Sequence, residues 1–264
     1  MKNSDIKERW ENYRKANTDK PLVRDNELKE TFNLLNPQGG ETILEVGTGN
    51  GYLTFPIAKA VKNGQVITAD INSDNLQSVV ESNVDDLPIK TLLFNDDTLF
   101  IDIESGYFNA VATIATLHHF DNLRESTGEK GREKVIAEFY RLLKNGGRLI
   151  IADVADSTIS QGYFDAINNP ENCFPEGHPY GFFTVSRLTE LLNKVGFKNI
   201  KIEIKKVPWK FKSEDEARDF IHTIHNAKCS IEESFSIAKK YLGFKKIGDN
   251  YELGWELFFV IATK

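Results

Sequence analysis

The chain has 264 residues, a formal net charge of −6, 40% hydrophobic and 27% charged side chains, values that suit one large α/β domain or one domain with an inserted cap. Net acidity argues against a nucleic-acid partner, which calls for a basic face, and no run approaches the ~20 apolar residues of a membrane span. Cys173 and Cys229 lie too far apart for a CxxC pair, and the charged start after Met1 lacks the apolar core of a secretion signal, so a soluble, cytoplasmic protein with reduced thiols is expected.

In chain order, residues 5–16 mix charges with Ile6, Trp10 and Tyr13, which predicts an amphipathic helix. A second helix is expected over about 25–35, ending at Asn36-Pro37 because proline disfavours a helical residue before it. The run from Thr42 to Thr54 then reads as strand, tight turn and helix start. Ile43, Leu44 and Val46 suit a parallel strand covered on both faces, and Leu53, Ile57, Ala58 and Val61 recur at helical spacing. Between them Gly47, Gly49 and Gly51 allow positive φ and leave no Cβ between backbone and a ligand. The dinucleotide spacing G-x-G-x-x-G is not met, since the third glycine comes one residue early and Tyr52 fills its place, which argues against NAD or FAD.

Residues 65–70 form a predicted second strand ending in Asp70, about 20 residues past the glycines, where a carboxylate can accept hydrogen bonds from both hydroxyls of a ribose. A helix cap there falls more naturally to Asn72 or Ser73. A third strand, 89–94, ends in Asn95-Asp96-Asp97. A fourth, 107–114, leads into Ala115-Thr116-Leu117-His118-His119-Phe120. A helix over about 130–143 precedes Lys144-Asn145-Gly146-Gly147, read as a tight return into a fifth strand, 148–153. A helix (185–195), a strand (198–207) and a final strand (253–263) continue the alternation. Two enlargements, 155–183 and 208–250, interrupt it, the latter with an apolar helical pattern through Phe220, Ile221, Ile224, Phe235, Ile237 and Ala238. His222 and His225 share a helical face but lack a third ligand, so they read as packing or surface residues and no metal is expected. Residues 198–246 carry 12 Lys/Arg against 7 Asp/Glu, a local +5 that leaves −11 elsewhere.

Four motifs occur in a familiar order over about 41–154: E-x-G-x-G-x-G at Glu45–Gly51, Asp70 at the second strand's end, F-N-A-V…L-H-H-F at 108–120, and L-K-x-G-G at 143–147. In them the chain resembles class I S-adenosylmethionine-dependent methyltransferases of the small-molecule type (UbiE-like, methyltransferase-11-like), with Asn109 in place of the usual aspartate. The resemblance implies an α/β, Rossmann-like seven-stranded sheet of order 3-2-1-4-5-7-6, last strand antiparallel, with helical insertions. The whole chain, 1–264, would be one such domain, with 1–36 as a helical lid and 155–183 and 208–250 as caps over an acceptor pocket; a homodimer interface is the alternative use of the same apolar helical face.

S-adenosyl-L-methionine is the implied cofactor and S-adenosyl-L-homocysteine the product. Gly47, Thr48, Gly49, Asn50 and Gly51 would hold its amino-acid part, with Glu45 positioning the loop or the ammonium. Asp70 would take the ribose, Ile71 would pack on adenine, Asp96 with Asp97 would meet the adenine edge, and Ile114 would complete the binding set. His118 and His119 are the candidates for a general base, imidazole titrating near neutrality; the alternative for this pair is a structural or packing role. Asp153, His178 and Tyr180 are further pocket candidates. The expected activity is in-line methyl transfer to O, N or C of a small metabolite. Two alternatives stand beside it: an acyl substrate borne on an acidic carrier protein that meets the basic 198–246 segment, and a cofactor-binding interaction module without turnover.

Overall fold

The computed structural model describes residues 3–94, 99–120, 130–156, 158–172 and 182–264. In chain order the first part comprises α1 (Asn3–Asp19), α2 (Asp25–Leu35), β1 (Thr42–Val46), α3 (Thr54–Val61), β2 (Gln65–Asp70), α4 (Ser73–Ser82), β3 (Ile89–Leu93), β4 (Phe108–Ile114), a 3-10 turn (Leu117–His119), α5 (Lys130–Leu142) and β5 (Leu143–Asp153). Then follow α6 (Ile159–Ile167), α7 (Val185–Val195), β6 (Lys198–Lys206), β7 (Trp209–Phe211), α8 (Glu214–Ile224), α9 (Ile231–Leu242), β8 (Phe244–Ile247), β9 (Asn250–Leu253) and β10 (Glu256–Thr263). Contacts gather these into two compact units, one of Leu28–Asp153, Gly181–Ile204 and Phe258–Lys264, the other of Met1–Glu27, Val154–Tyr180 and Lys205–Leu257.

The first unit is built on a seven-stranded sheet of order β3-β2-β1-β4-β5-β10-β6. The strands from β3 to β5 pair in parallel and β10 runs antiparallel to β5, which is the expected class I architecture. Physical cause is legible strand by strand. β1, β2 and β4 are buried along nearly their whole length, as parallel strands covered on both faces must be, whereas β3 sits at the edge and exposes Lys90, Thr91 and Leu93. Helix α3 turns Thr54, Ile57, Ala58 and Val61 inward; α7 buries Leu188, Leu191 and Leu192, starts on the Thr184 side chain and stops at Gly196, φ +112°.

Two local expectations differ, the first at the start of β5. Residues 144–147 are not a turn ahead of a strand beginning at Arg148, because β5 already starts at Leu143 and takes in the glycines. The β4–β5 register shifts between Phe108 and Ala110, Gly146 adopts φ +78°, and the extra residues form a bulge. Asn109 stands at this irregularity, its Oδ1 accepting the Thr42 N–H and the Lys144 ammonium, each at 3.0 Å.

The second unit packs helices with a three-stranded sheet of order β7-β9-β8. The predicted helical character of 208–250 holds for α8 and α9, the latter started by a capping box between Ser230 and Glu233. The small antiparallel sheet is new. β7 is three residues long, with Trp209 and Phe211 buried around exposed Lys210, too short for periodicity to announce. Nor is 253–263 a single strand: β9 ends at Leu253 and β10 begins at Glu256. Gly254 between them lies so close to α9 that a Cβ there would fall 2.4 Å from the Leu242 carbonyl oxygen. Trp209 stacks on Trp255 with centroids 4.1 Å apart, and the buried Arg24–Glu27 pair, Nη2 to Oε2 2.7 Å, is joined by the Trp209 indole N–H on the other Glu27 oxygen.

Candidate active site

In a parallel sheet the strands deliver their carboxyl ends to one rim, and ligands of open α/β sheets bind there. In this chain the rim receives the glycine loop after β1, Asp70 at the end of β2, the segment after β4, and Asp153 at the end of β5.

The loop is shaped by its own chain. Gly47, Gly49 and Gly51 have φ of +92°, +54° and +83°, values L side chains rarely adopt. A Cβ on Gly47 would lie 2.1 Å from Thr116 Oγ1, and one on Gly51 would lie 2.4 Å from the Phe55 ring. At these two positions the room left by glycine is therefore filled by neighbouring side chains. The Gly49 N–H donates to Asp70 Oδ2 at 3.0 Å, which latches the loop to the end of the next strand. Asn50 is half-buried at the tip.

Asp70 is nearly buried, at 9% exposure. Besides Gly49, its Oδ2 accepts from Asn75 Nδ2 at 3.1 Å, and its Oδ1 from the Asn72 N–H at 2.9 Å. Asn72, not Asp70, caps α4 by accepting the Asp74 N–H. A carboxylate offers about four acceptor positions, so Asp70 retains capacity for a ligand hydroxyl. Ile71, the next residue, is 46% exposed beside it, while Ile114 is buried at the end of β4. Asp96, Asp97, His178 and Tyr180 lie outside the described residues.

Below the loop lies a sealed polar row. Glu45 Oε2 accepts the Thr54 hydroxyl at 2.5 Å and the Thr68 hydroxyl at 2.6 Å, and Thr68 Oγ1 lies 2.6 Å from Thr48 Oγ1. All four side chains are buried. Burial pushes the Glu45 carboxyl up to about 7, against the lowering effect of the two hydroxyls and with a smaller upward push from Asp70.

After β4 the backbone turns at Ala115, φ +50°, and enters the 3-10 turn. His118 is buried. Its Nδ1 lies 2.6 Å from Asp153 Oδ1, and its backbone N–H donates to Asp153 Oδ2 at 3.0 Å. His119 is half-buried, its ring 4.0 Å from that of His118. The Phe182 ring meets His118 edge-on at 5.6 Å. A histidine held through Nδ1 by a carboxylate has a defined tautomer and orientation, the arrangement that suits a general base.

His222 Nδ1 is 3.5 Å from Ser234 Oγ, and His225 is buried against Tyr163, ring centroids 5.2 Å apart. Among the described residues no group of three or more His, Cys, Asp or Glu could hold a metal ion, and no helix is long and apolar enough to cross a membrane. Sequence reasoning missed Thr54, Thr68, Asn75 and Thr116. Thr68 had a readable signal, since pairing β1 with β2 from the glycine loop sets it opposite Glu45; Thr116 had none, because its contact with Gly47 joins residues from different strand ends.

The profile of a methyltransferase-domain family matches residues 22–202. Demethylmenaquinone methyltransferase of Oceanobacillus iheyensis is 27% identical over 133 residues, 50% of this chain and 52% of that protein. The ubiquinone/menaquinone biosynthesis C-methyltransferase UbiE of Hydrogenovibrio crunogenus is 31% identical over 121 residues, 45% of this chain and 44% of its own. The chain thus spans about half the length of the curated relatives it matches. Among solved structures, phosphoethanolamine N-methyltransferase 2 of Haemonchus contortus in complex with S-adenosyl-L-methionine superimposes with a TM-score of 0.59 at 17% identity, covering 90% of this chain and 52% of the other. At that identity the likeness is one of fold. With the profile running from α2 through the glycine loop and on to β6, and with the sheet order and rim to match, the chain belongs to the class I S-adenosylmethionine-dependent methyltransferase family.

Proposed function

We propose that this protein transfers the methyl group of S-adenosyl-L-methionine to an O, N or C atom of a small metabolite, releasing S-adenosyl-L-homocysteine. The observation that carries the reading is the Gly49–Asp70 latch, which sets the glycine loop and the Asp70 carboxylate side by side at the sheet's carboxyl rim. When bound, the cofactor supplies a methyl group on a sulfonium leaving group. The residues Gly47–Gly51 would cradle its amino-acid portion, Asp70 would accept a ribose hydroxyl, Ile71 and Ile114 would pack against the adenosyl part, and Asp96 with Asp97 would meet the adenine edge.

The chain's chemical contribution is then orientation, for which ~7–11 kcal/mol is available from fixed geometry, and removal of the acceptor's proton. His118 is the base in this reading. With Nδ1–H donated to Asp153, Nε2 would be the basic nitrogen and would take up the acceptor's proton. His119 packs against it and keeps it in place.

Calorimetry with S-adenosylhomocysteine on wild-type protein and Asp70→Ala tests the cofactor half: affinity should fall by ~1–3 kcal/mol, and unchanged affinity removes Asp70 from the site. Transfer of a radiolabelled methyl group to a panel of phenols, amines and carboxylic acids tests the rest. Tight binding with no transfer to any acceptor points to a non-catalytic module. The basic excess over 198–246 favours one second reading, an acyl acceptor on an acidic carrier protein, recognised by turnover of the carrier-bound acid and not of the free acid.

A further inference from the structure

We infer that Thr68 is a positioning residue for the cofactor, carrying the protonation state of Glu45 to the Thr48 hydroxyl of the glycine loop, so that binding of the cationic cofactor is coupled to release of a proton. This rests on the cofactor reading above.

The row Thr54, Glu45, Thr68, Thr48 is continuous in hydrogen-bond distances: 2.5 Å from Thr54 Oγ1 to Glu45 Oε2, 2.6 Å from Thr68 Oγ1 to the same oxygen, and 2.6 Å between the Thr68 and Thr48 hydroxyls. Exposure is 0% at Thr54 and Thr68 and 1% at Glu45 and Thr48, so water cannot repair a mismatch within it. Each hydroxyl owns a single proton, and an ionised carboxylate only accepts.

Two arrangements follow. With Glu45 ionised, Thr54 and Thr68 both donate to Oε2. The Thr68 oxygen must then receive the Thr48 proton, and Thr48 presents lone pairs alone to anything else near the loop. With Glu45 protonated on Oε2, the carboxyl O–H becomes a donor towards Thr68. The Thr68 proton swings to Thr48, whose own proton is then released from Thr68 to another acceptor. One proton on Glu45 therefore reverses the Glu45–Thr68–Thr48 part of the row, and Thr48 changes from acceptor to donor at the loop that would hold the amino-acid part of the cofactor.

The surroundings make this proton mobile. The charged group acting on Glu45 is Asp70 on β2, whose negative charge favours the proton; α3 brings only the Thr54 hydroxyl, and β4 sets Ala112 opposite Glu45. Burial already holds the carboxyl near neutrality. A cation arriving above the loop opposes the proton and selects the ionised arrangement. S-adenosylmethionine carries a sulfonium charge that S-adenosylhomocysteine lacks, so the coupling is larger for substrate than for product.

The test is calorimetric titration of both ligands between about pH 6 and pH 8 in paired buffers of different ionisation enthalpy, on the whole protein. S-adenosylmethionine should bind about tenfold tighter at the upper end, as expected for a group of pKa near 7 that must ionise, with a fraction of a proton released near neutrality and less for S-adenosylhomocysteine. Glu45→Gln should abolish the release. Thr68→Val, matched in shape, should raise the midpoint of the pH dependence, and Thr68→Ser should restore it; a role in packing alone would change melting temperature and leave the midpoint in place. Measurable binding without proton release, or a wild-type pH profile in Glu45→Gln, overturns the inference. Failure of both ligands to bind at any pH overturns the cofactor reading itself.

Discussion

Asp153 grips His118 twice, one carboxylate oxygen 2.6 Å from the ring Nδ1 and the other taking the backbone N–H of the same residue at 3.0 Å. The two residues are 35 positions apart in sequence and come from the ends of neighbouring parallel strands, β4 and β5. Such a double contact fixes both the place of the ring and the side on which its proton sits, which a single surface hydrogen bond cannot do.

Loss of the Asp153 charge should accordingly act on rate more than on binding. If His118 is the base, Asp153→Asn should lower kcat by ~10²–10⁴-fold, leave the affinity for S-adenosylhomocysteine within about twofold, and displace the limb of the pH–rate profile that reports the base. A fall in cofactor affinity matching the fall in rate would instead assign the pair to cofactor packing.

Gly47 should tolerate alanine badly for a steric reason that a second substitution can relieve. The new Cβ would meet Thr116 Oγ1 at 2.1 Å, and the backbone sits at φ +92°. Gly47→Ala should cost about 1–3 kcal/mol of stability, in the range for overpacking. Adding Thr116→Ala should recover part of this, since the clash goes but the left-handed conformation remains. Additive denaturation midpoints in the double variant would show that Thr116 is not the obstacle.

Two buried groups should shape the pH dependence of stability in opposite directions. Glu45 titrates near 4.5 when the chain is unfolded and at about 7 when folded, chiefly through burial. The folded state thus holds the extra proton, and stability falls as pH rises through that window, by on the order of 3 kcal/mol in all. His225 is displaced the other way, from 6.5 down to about 3, by burial first and by Arg9 and Arg24 next. Here the unfolded chain takes up the proton, and stability is lost as pH falls from 6.5 towards 3. In urea titrations across pH, Glu45→Gln should flatten the first slope and His225→Gln the second; slopes unchanged by both substitutions would discharge these groups from the pH response.

Glu27 should be among the costliest side chains to truncate in the helical unit. It is fully buried, receives Arg24 Nε at 3.1 Å and Nη2 at 2.7 Å, and takes the Trp209 indole N–H. Arg24 in turn reaches the Tyr13 hydroxyl at 2.6 Å. Glu27→Ala leaves a buried guanidinium without its carboxylate, for which about 3–5 kcal/mol is typical. A denaturation midpoint within experimental error of wild type would contradict that account.

What local sequence determined is the alternation of strands and helices through the first unit and the residues at strand ends. A buried parallel strand must be apolar along its length, a helix packed on it must be apolar every third or fourth position, and a tight strand-to-helix turn with positive φ needs glycine; each condition is written within a dozen residues. Hence the positions of Gly47, Gly49, Gly51, Asp70 and the His118-His119 pair at strand ends were readable from the chain alone, and the sheet order followed from resemblance to a known family. Tertiary structure alone decided which of these touch. That Thr116 occupies the space spared by Gly47, that Asp153 holds His118, and that Trp209 of a three-residue strand lies on Trp255 are contacts between distant positions. Periodicity carries no information about such pairs, because they are set by strand register and by packing once the sheet has closed around them.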